Sequence, residues 1–136
     1  MLKILLIEDE FIIAKDLQIS LQKDAFAKID ISKNYDTANT LFIANNYDLI
    51  LSDINLNDSM DGIQIIEKLG AIKPIPVVYL TAYSDPEIVE RAKKTMPFAY
   101  ILKPFNINQL KVTITLALLN FKKQQNDVEQ IEGNNK

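Results

Sequence analysis

No cysteine and no histidine occur among the 136 residues. The first absence excludes a disulfide framework, a thiol nucleophile and a thiolate metal site; the second removes the usual proton shuttle and the commonest metal ligand. Whatever chemistry the chain carries runs on carboxylates, hydroxyls and lysine. Long apolar runs are missing as well. The opening Met1-Leu2-Lys3-Ile4-Leu5-Leu6-Ile7 is too short for the apolar core of a secretory leader, and no later run reaches membrane-spanning length. The expectation is a soluble, cytoplasmic protein with no membrane association. Basic clusters are absent too: 15 Lys and Arg stand against 18 Asp and Glu, for a net charge of −3. Duplex affinity comes largely from neutralised phosphates, so direct nucleic-acid binding is not expected. There is no internal repeat and no low-complexity tract.

What is present suits one domain, since 48% of the residues are hydrophobic and a chain of this length buries a single core without staples. Strand-length apolar runs recur at Lys3 to Ile7, Ala27 to Ser32, Asp48 to Ser52, Ile75 to Leu80 and Phe98 to Leu102, with helical segments between them. The first, third and fourth are almost continuously apolar, as parallel strands covered on both faces must be. The second, Lys28-Ile29-Asp30-Ile31-Ser32, alternates and belongs at an edge. This is a fivefold βα alternation, hence an α/β fold with a doubly wound parallel sheet.

The helical segments carry distinct signals. Ser84-Asp85-Pro86-Glu87 reads as a capping box with proline in the first turn, opening a helix from Asp85 to Lys94. Asp36 is suited to cap a helix reaching Asn46, and Ala14, Leu17 and Leu21 give the first helix one apolar face. The last helix, Asn106 to Phe121, carries Ile107, Leu110, Ile114, Ala117 and Phe121 on one stripe and Val112, Leu116 and Leu119 on another, which suits a partner. Residues 1–121 form the expected domain. Residues 122–136 lack a core pattern and read as a polar tail or linker.

Open doubly wound sheets bind ligands beyond the carboxyl ends of their strands. The first strand ends in Glu8 and Asp9, the third in Asp53, the fourth in Thr81 and the fifth in Lys103. Singly, these are a helix cap, a turn residue, a strand residue and a surface lysine. Jointly, three carboxylates at one rim repel each other unless a cation sits there. Oxygen ligands alone suit a hard divalent ion, and Mg²⁺ with few carboxylates is the arrangement of phosphoryl-transfer sites. In such a site Asp53 is the covalent acceptor, Lys103 offsets phosphoryl charge, and the Thr81 hydroxyl gains a hydrogen bond only in the modified state.

Ile7-Glu8-Asp9-Glu10, Ser52-Asp53-Ile54-Asn55, Leu80-Thr81-Ala82-Tyr83 and Tyr100-Ile101-Leu102-Lys103-Pro104-Phe105 resemble the signature segments of two-component response-regulator receiver domains, over Leu2 to Asn120. The resemblance implies a flavodoxin-like sheet of order 2-1-3-4-5. It implies phosphorylation of Asp53 by a sensor histidine kinase or phosphotransfer protein, in a signalling domain that promotes its own phosphorylation and dephosphorylation rather than an enzyme acting on external substrate. It further implies Mg²⁺ on Glu8, Asp9, Asp53 and the backbone carbonyl of Asn55, and phosphoryl contact by Lys103. Thr81 and Tyr100 are the implied switch pair, Asn55 and Tyr83 the positions tuning phosphate lifetime, and the fourth helix, fifth strand and fifth helix the face presented to an output partner or a phosphorylation-dependent homodimer. A cis Lys103–Pro104 bond follows from the same likeness. The loop Ile54 to Asp61 departs from the family, lacking a proline common there and running longer. Its Asp58 and Asp61 read as a turn residue and a helix cap.

Three other readings compete. A haloacid-dehalogenase-like Mg²⁺ phosphatase needs an acid two residues past its nucleophile, where Asn55 stands. A flavodoxin-type cofactor carrier needs a phosphate loop where Glu8-Asp9-Glu10 repel phosphate. The third is a receiver fragment of a larger transcription factor or hybrid kinase.

Overall fold

The five apolar runs pair side by side as parallel strands β1 (Leu2–Ile7), β2 (Ala27–Ser32), β3 (Leu49–Ser52), β4 (Val77–Thr81) and β5 (Ala99–Leu102), in the order β2-β1-β3-β4-β5. The computed structural model describes residues 1–82 and 84–134, with side chains through Asp127. Between the strands lie α1 (Phe11–Gln22), α2 (Tyr35–Ala44), α3 (Gly62–Ile72) and α4 (Pro86–Lys93), and α5 (Ile107–Asn134) follows β5.

Burial explains the strand positions. Every residue of β3 and β4 is buried, as sandwiched parallel strands require. β2 alternates through most of its length and pairs only with β1, the predicted edge position. Because successive strand side chains point to opposite faces, the sheet feeds two cores. Leu5, Ile7, Ile50 and Tyr79 meet Phe42 of α2 and Ile63, Ile66 and Leu69 of α3. On the other face Ile4, Leu6, Leu51 and Leu80 meet Leu17 and Leu21 of α1 and Leu110 and Ile114 of α5. Register then levels the strand ends: Ile7 lies opposite both Ser32 and Ser52, Ser52 opposite Tyr79, and Thr81 opposite Leu102.

Three helix boundaries differ from expectation. Asn34, not Asp36, caps α2, its side-chain oxygen accepting the Thr37 N–H at 3.0 Å. Asp36 instead lies within the first turn, where an acid suits the helix dipole. Asp85, not Ser84, caps α4, because a residue before proline is driven from helical backbone and Pro86 therefore takes the first helical position. And α5 continues past Phe121 to Asn134. Residues 122–132 are mostly Lys, Gln, Glu and Asn without a proline, so nothing breaks a helix already nucleated. Asp61 does cap α3, in a reciprocal box with Gln64. The Lys103–Pro104 peptide is cis. Among the described residues no helix is long and apolar enough to cross a membrane.

Candidate functional site

The levelled strand ends carry the candidate residues to one rim. Backbone hydrogen bonds extend the ladder one step beyond the strands: Glu8 N–H donates to Ser32 O, Asp53 N–H to Ile7 O and Lys103 N–H to Thr81 O, each at 2.9 Å. The side chains that follow are thereby fixed at their bases.

At the centre, the Lys103 ammonium donates to Glu8 Oε2 and to Asp53 Oδ2, both at 3.1 Å. These are partners 95 and 50 residues apart in the chain. The Glu8 side chain is 2% exposed and that of Asp53 10%, so both carboxylates are held largely away from water. The second oxygen of each is also engaged, Glu8 Oε1 by the Glu10 N–H at 3.1 Å and Asp53 Oδ1 by the Ile54 N–H at 2.6 Å. Burial, helped by the nearby Asp53 charge, pushes the Glu8 carboxyl up to about 7, although the Glu10 N–H and Lys103 pull the other way. For Lys103 burial favours the neutral form, but Asp53 and Glu8 outweigh it and its pKa rises. The rim thus holds a carboxyl reluctant to ionise beside a firmly charged lysine.

Asp9 points elsewhere: its Oδ2 accepts the Asn57 N–H at 2.6 Å. Among the described residues no three acidic side chains converge closely enough to grip an ion, because Lys103 lies between Glu8 and Asp53 and Asp9 is turned to the loop. Thr81 is fully buried at the end of β4. Tyr100, on edge strand β5, is half-buried, with its ring 6.2 Å from that of Tyr79. Burial and the charge of Asp53 raise its hydroxyl pKa. Asn55 is exposed in the β3–α3 loop, and Tyr83 lies outside the described residues.

Gly62 was not foreseen as part of the site. A Cβ there would overlap the carbonyl oxygen of Asp53 and come within 2.9 Å of Ile54 Cα. The first residue of α3 therefore abuts the backbone that carries Asp53, an approach sealed by the Gly62 N–H to Ile54 O bond at 2.7 Å. The available signal was a glycine, one of three in the chain, directly after a helix cap, where propensity disfavours it. The turn role of Asp58 holds, with its Oδ1 on the Ser59 N–H at 2.8 Å. Its Oδ2 also reaches the Tyr35 N–H at 3.0 Å, a tie across the rim that no local pattern announces.

The arrangement can present a carboxylate oxygen of Asp53 beside a fixed ammonium, with a buried hydroxyl on the next strand. Known proteins resemble the chain in sequence and in fold. A sequence profile described as response regulator receiver domain matches residues 4–115. The transcriptional regulatory protein PdtaR of Mycobacterium tuberculosis is 31% identical over 131 residues, covering 96% of this chain and 62% of that protein. The two-component response regulator ARR10 of Arabidopsis thaliana is 32% identical over 112 residues, 81% of this chain but 20% of that protein. Among solved structures, the N-terminal domain of a response regulator/sensory box/GGDEF three-domain protein from Carboxydothermus hydrogenoformans superposes with a TM-score of 0.81 at 31% identity, over 90% of this chain and 98% of that one. A CheY-like receiver domain from Methanospirillum hungatei gives 0.84 at 23% identity, over 91% and 98%, a likeness of fold. The chain spans less than two thirds of the length of these curated relatives.

Proposed function

Because the chain belongs to the response regulator receiver domain family, we propose that it is a phosphorylation switch whose acceptor is Asp53. The observation carrying this reading is the Lys103 ammonium, 3.1 Å from Asp53 Oδ2 and 3.1 Å from Glu8 Oε2 at the carboxyl rim of the sheet.

An Asp53 carboxylate oxygen attacks the phosphorus of a phosphohistidine on a sensor kinase or phosphotransfer protein. The P–N bond breaks, the imidazole leaves with its electron pair, and an acyl phosphate forms. Lys103 neutralises charge on the phosphoryl oxygens, and water is limited by the burial around Glu8 and Asp53. The donor chemistry fits Mg²⁺: only oxygens are offered, and Glu8, pushed up to about 7 by burial, is a group whose ionised form gains from a nearby cation. Glu8, Asp9, Asp53 and the Asn55 carbonyl would hold it. The ion supplies charge neutralisation for in-line transfer. Asp9, whose Oδ2 accepts the Asn57 N–H, would have to turn from that partner to join the set.

Once phosphorylated, Asp53 draws the Thr81 hydroxyl, and Tyr100 turns inward into the space vacated, repacking the surface of α4, β5 and α5 for an output partner. Asn55 and Tyr83 tune how long the phosphate lasts. Val112, Leu116 and Leu119, 58%, 51% and 61% exposed on α5, supply a face for a phosphorylation-dependent homodimer. Residues 1–121 act as the switching unit in the cytoplasm and 122–136 as a connector. Asn55, two residues past Asp53, speaks against the phosphatase alternative, since an amide is no general acid.

Intact mass after incubation with Mg²⁺ and acetyl phosphate tests the reading. The expected result is a labile phosphoryl adduct that needs Mg²⁺ and is absent from Asp53→Asn; a parent that takes no phosphoryl group overturns it.

A further inference from the structure

The residue immediately before Asp53 carries a buried hydroxyl that has no part in the phosphoryl transfer described above. Ser52 ends β3 and is fully buried. Its hydroxyl donates to the carbonyl oxygen of Asp53 at 2.8 Å. The other end of that same peptide unit, the Ile54 N–H, donates to Asp53 Oδ1 at 2.6 Å. A peptide is planar, so whatever fixes its C=O also fixes where its N–H aims. Further contacts close on this unit. Gly62 abuts the Asp53 carbonyl so closely that a Cβ would overlap it, and the Gly62 N–H donates to Ile54 O at 2.7 Å. The Ile54 side chain is buried in the core shared with α2 and α3. Lys103, meanwhile, holds the other acceptor oxygen, Asp53 Oδ2, at 3.1 Å.

We propose that Ser52 is a positioning residue for phosphoryl acceptance: by holding the carbonyl of Asp53, its hydroxyl turns the Ile54 N–H onto Oδ1 and so sets the pose of the acceptor carboxylate. This rests on the reading above, in which Asp53 is the acceptor. A carboxylate swings readily about its last side-chain bond, and one anchor leaves that rotation open. Donors on both oxygens close it, the ammonium on Oδ2 and the peptide N–H on Oδ1. The attacking oxygen then meets the donor phosphorus from one direction, which is where positioning lowers a barrier. Lys103 is a poor sole anchor, because it is carried on a flexible four-carbon stem and is shared with Glu8. The peptide unit is part of the backbone and does not share that freedom. Without the Ser52 hydroxyl the buried Asp53 carbonyl loses its donor, an outcome costly enough to turn the peptide toward another partner. Turning it takes the Ile54 N–H away from Oδ1.

The test follows labelling by acetyl phosphate at saturating Mg²⁺ in the full chain and in its Ser52→Ala and Ser52→Thr forms, and reads the Ile54 amide proton shift by NMR in the same proteins before labelling. A short bond to a carboxylate carries that proton downfield in the parent. Ser52→Ala is expected to move it upfield and to slow labelling by roughly tenfold or more, toward the 100-fold that an ångström-scale misplacement costs. Ser52→Thr keeps the hydroxyl and is expected to restore both shift and rate. The shift is read from folded molecules alone, so a loss of stability does not imitate it. Ser52→Ala labelling as fast as the parent overturns the role of Ser52 and leaves the phosphoacceptor reading intact. Slow labelling with an unmoved Ile54 amide overturns it as well, and so does a threonine variant that regains the shift but not the rate. A parent that takes no phosphoryl group removes the phosphoacceptor reading and the role of Ser52 together.

Discussion

At the scale of single residues, contacts made by backbone atoms govern where Asp53 stands. Gly62 is the sharpest case. On an ordinary helix, exchanging glycine for alanine gains up to about 1 kcal/mol through propensity. Here the added methyl would run into the Asp53 carbonyl, which is backbone and has no rotamer to yield. Gly62→Ala is therefore expected to reverse the usual sign, destabilising the fold by roughly 1–3 kcal/mol. It should also slow labelling of Asp53, since α3 must move away from the acceptor. Urea midpoints and the rate of acetyl phosphate labelling check both; a variant more stable than the parent would show that α3 has slack at its start. The same scale holds the Lys103 bridge, where one ammonium serves two buried carboxylates. Lysine, glutamate and aspartate at strand ends were visible along the chain, but the sharing of one lysine by two acids was not.

At the scale of elements, α5 divides its labour by face. Leu110, Ile114 and Ala117 are at most 1% exposed and pack on the sheet, whereas Val112, Leu116 and Leu119 look outward. Leu110→Ala is expected to lose about 2–5 kcal/mol of stability, as a buried leucine deletion does. Leu116→Lys should leave the urea midpoint nearly unchanged. Sedimentation of the phosphorylated protein separates the roles: a dimer in the parent that Leu116→Lys abolishes is the expected pair of results, and a parent that stays monomeric counts against the dimer face. The two stripes were legible from spacing alone because helical period is local. Where α5 ends was not, since the polar stretch after Phe121 lacks a core pattern yet contains good helix formers. The caps of α2 and α4 likewise turned on a neighbour, Asn34 outcompeting Asp36 and Pro86 displacing the cap to Asp85.

At the scale of the whole molecule, the sheet keeps tyrosine hydroxyls out of water, and this sets an alkaline limit. Tyr79 is fully buried, its hydroxyl 2.7 Å from Thr95 Oγ1. Burial pushes it from 10.0 up to about 12, with the Thr95 bond opposing. The folded state therefore holds this proton more tightly than the unfolded chain. The stability it confers is complete below pH 10 and is lost as pH rises through about 12. Tyr79→Phe, which cannot ionise, should lose roughly 0.5–1.5 kcal/mol at neutral pH with its hydrogen bond. Between pH 10 and 12, the window those two values define, its stability should fall less steeply than the parent's. Urea midpoints across that range measure it, and parallel slopes would mean that Tyr79 meets water before the fold is lost.

The sequence by itself determined the alternation of five strands with helices, the edge place of β2, the inner stripe of α5 and the rim on which Glu8, Asp9, Asp53, Thr81 and Lys103 gather. Each rests on a period or a run that neighbouring residues carry, and on the rule that ligands meet such sheets at the carboxyl ends. Only the tertiary structure decided that Lys103 bridges Glu8 and Asp53, that Asp9 faces Asn57, that Asp58 ties the loop to α2 and that Gly62 must lack a side chain. Those contacts join residues brought together by strand register and helix packing. Charge partners and close approaches belong to distance in space, which no spacing along the chain encodes.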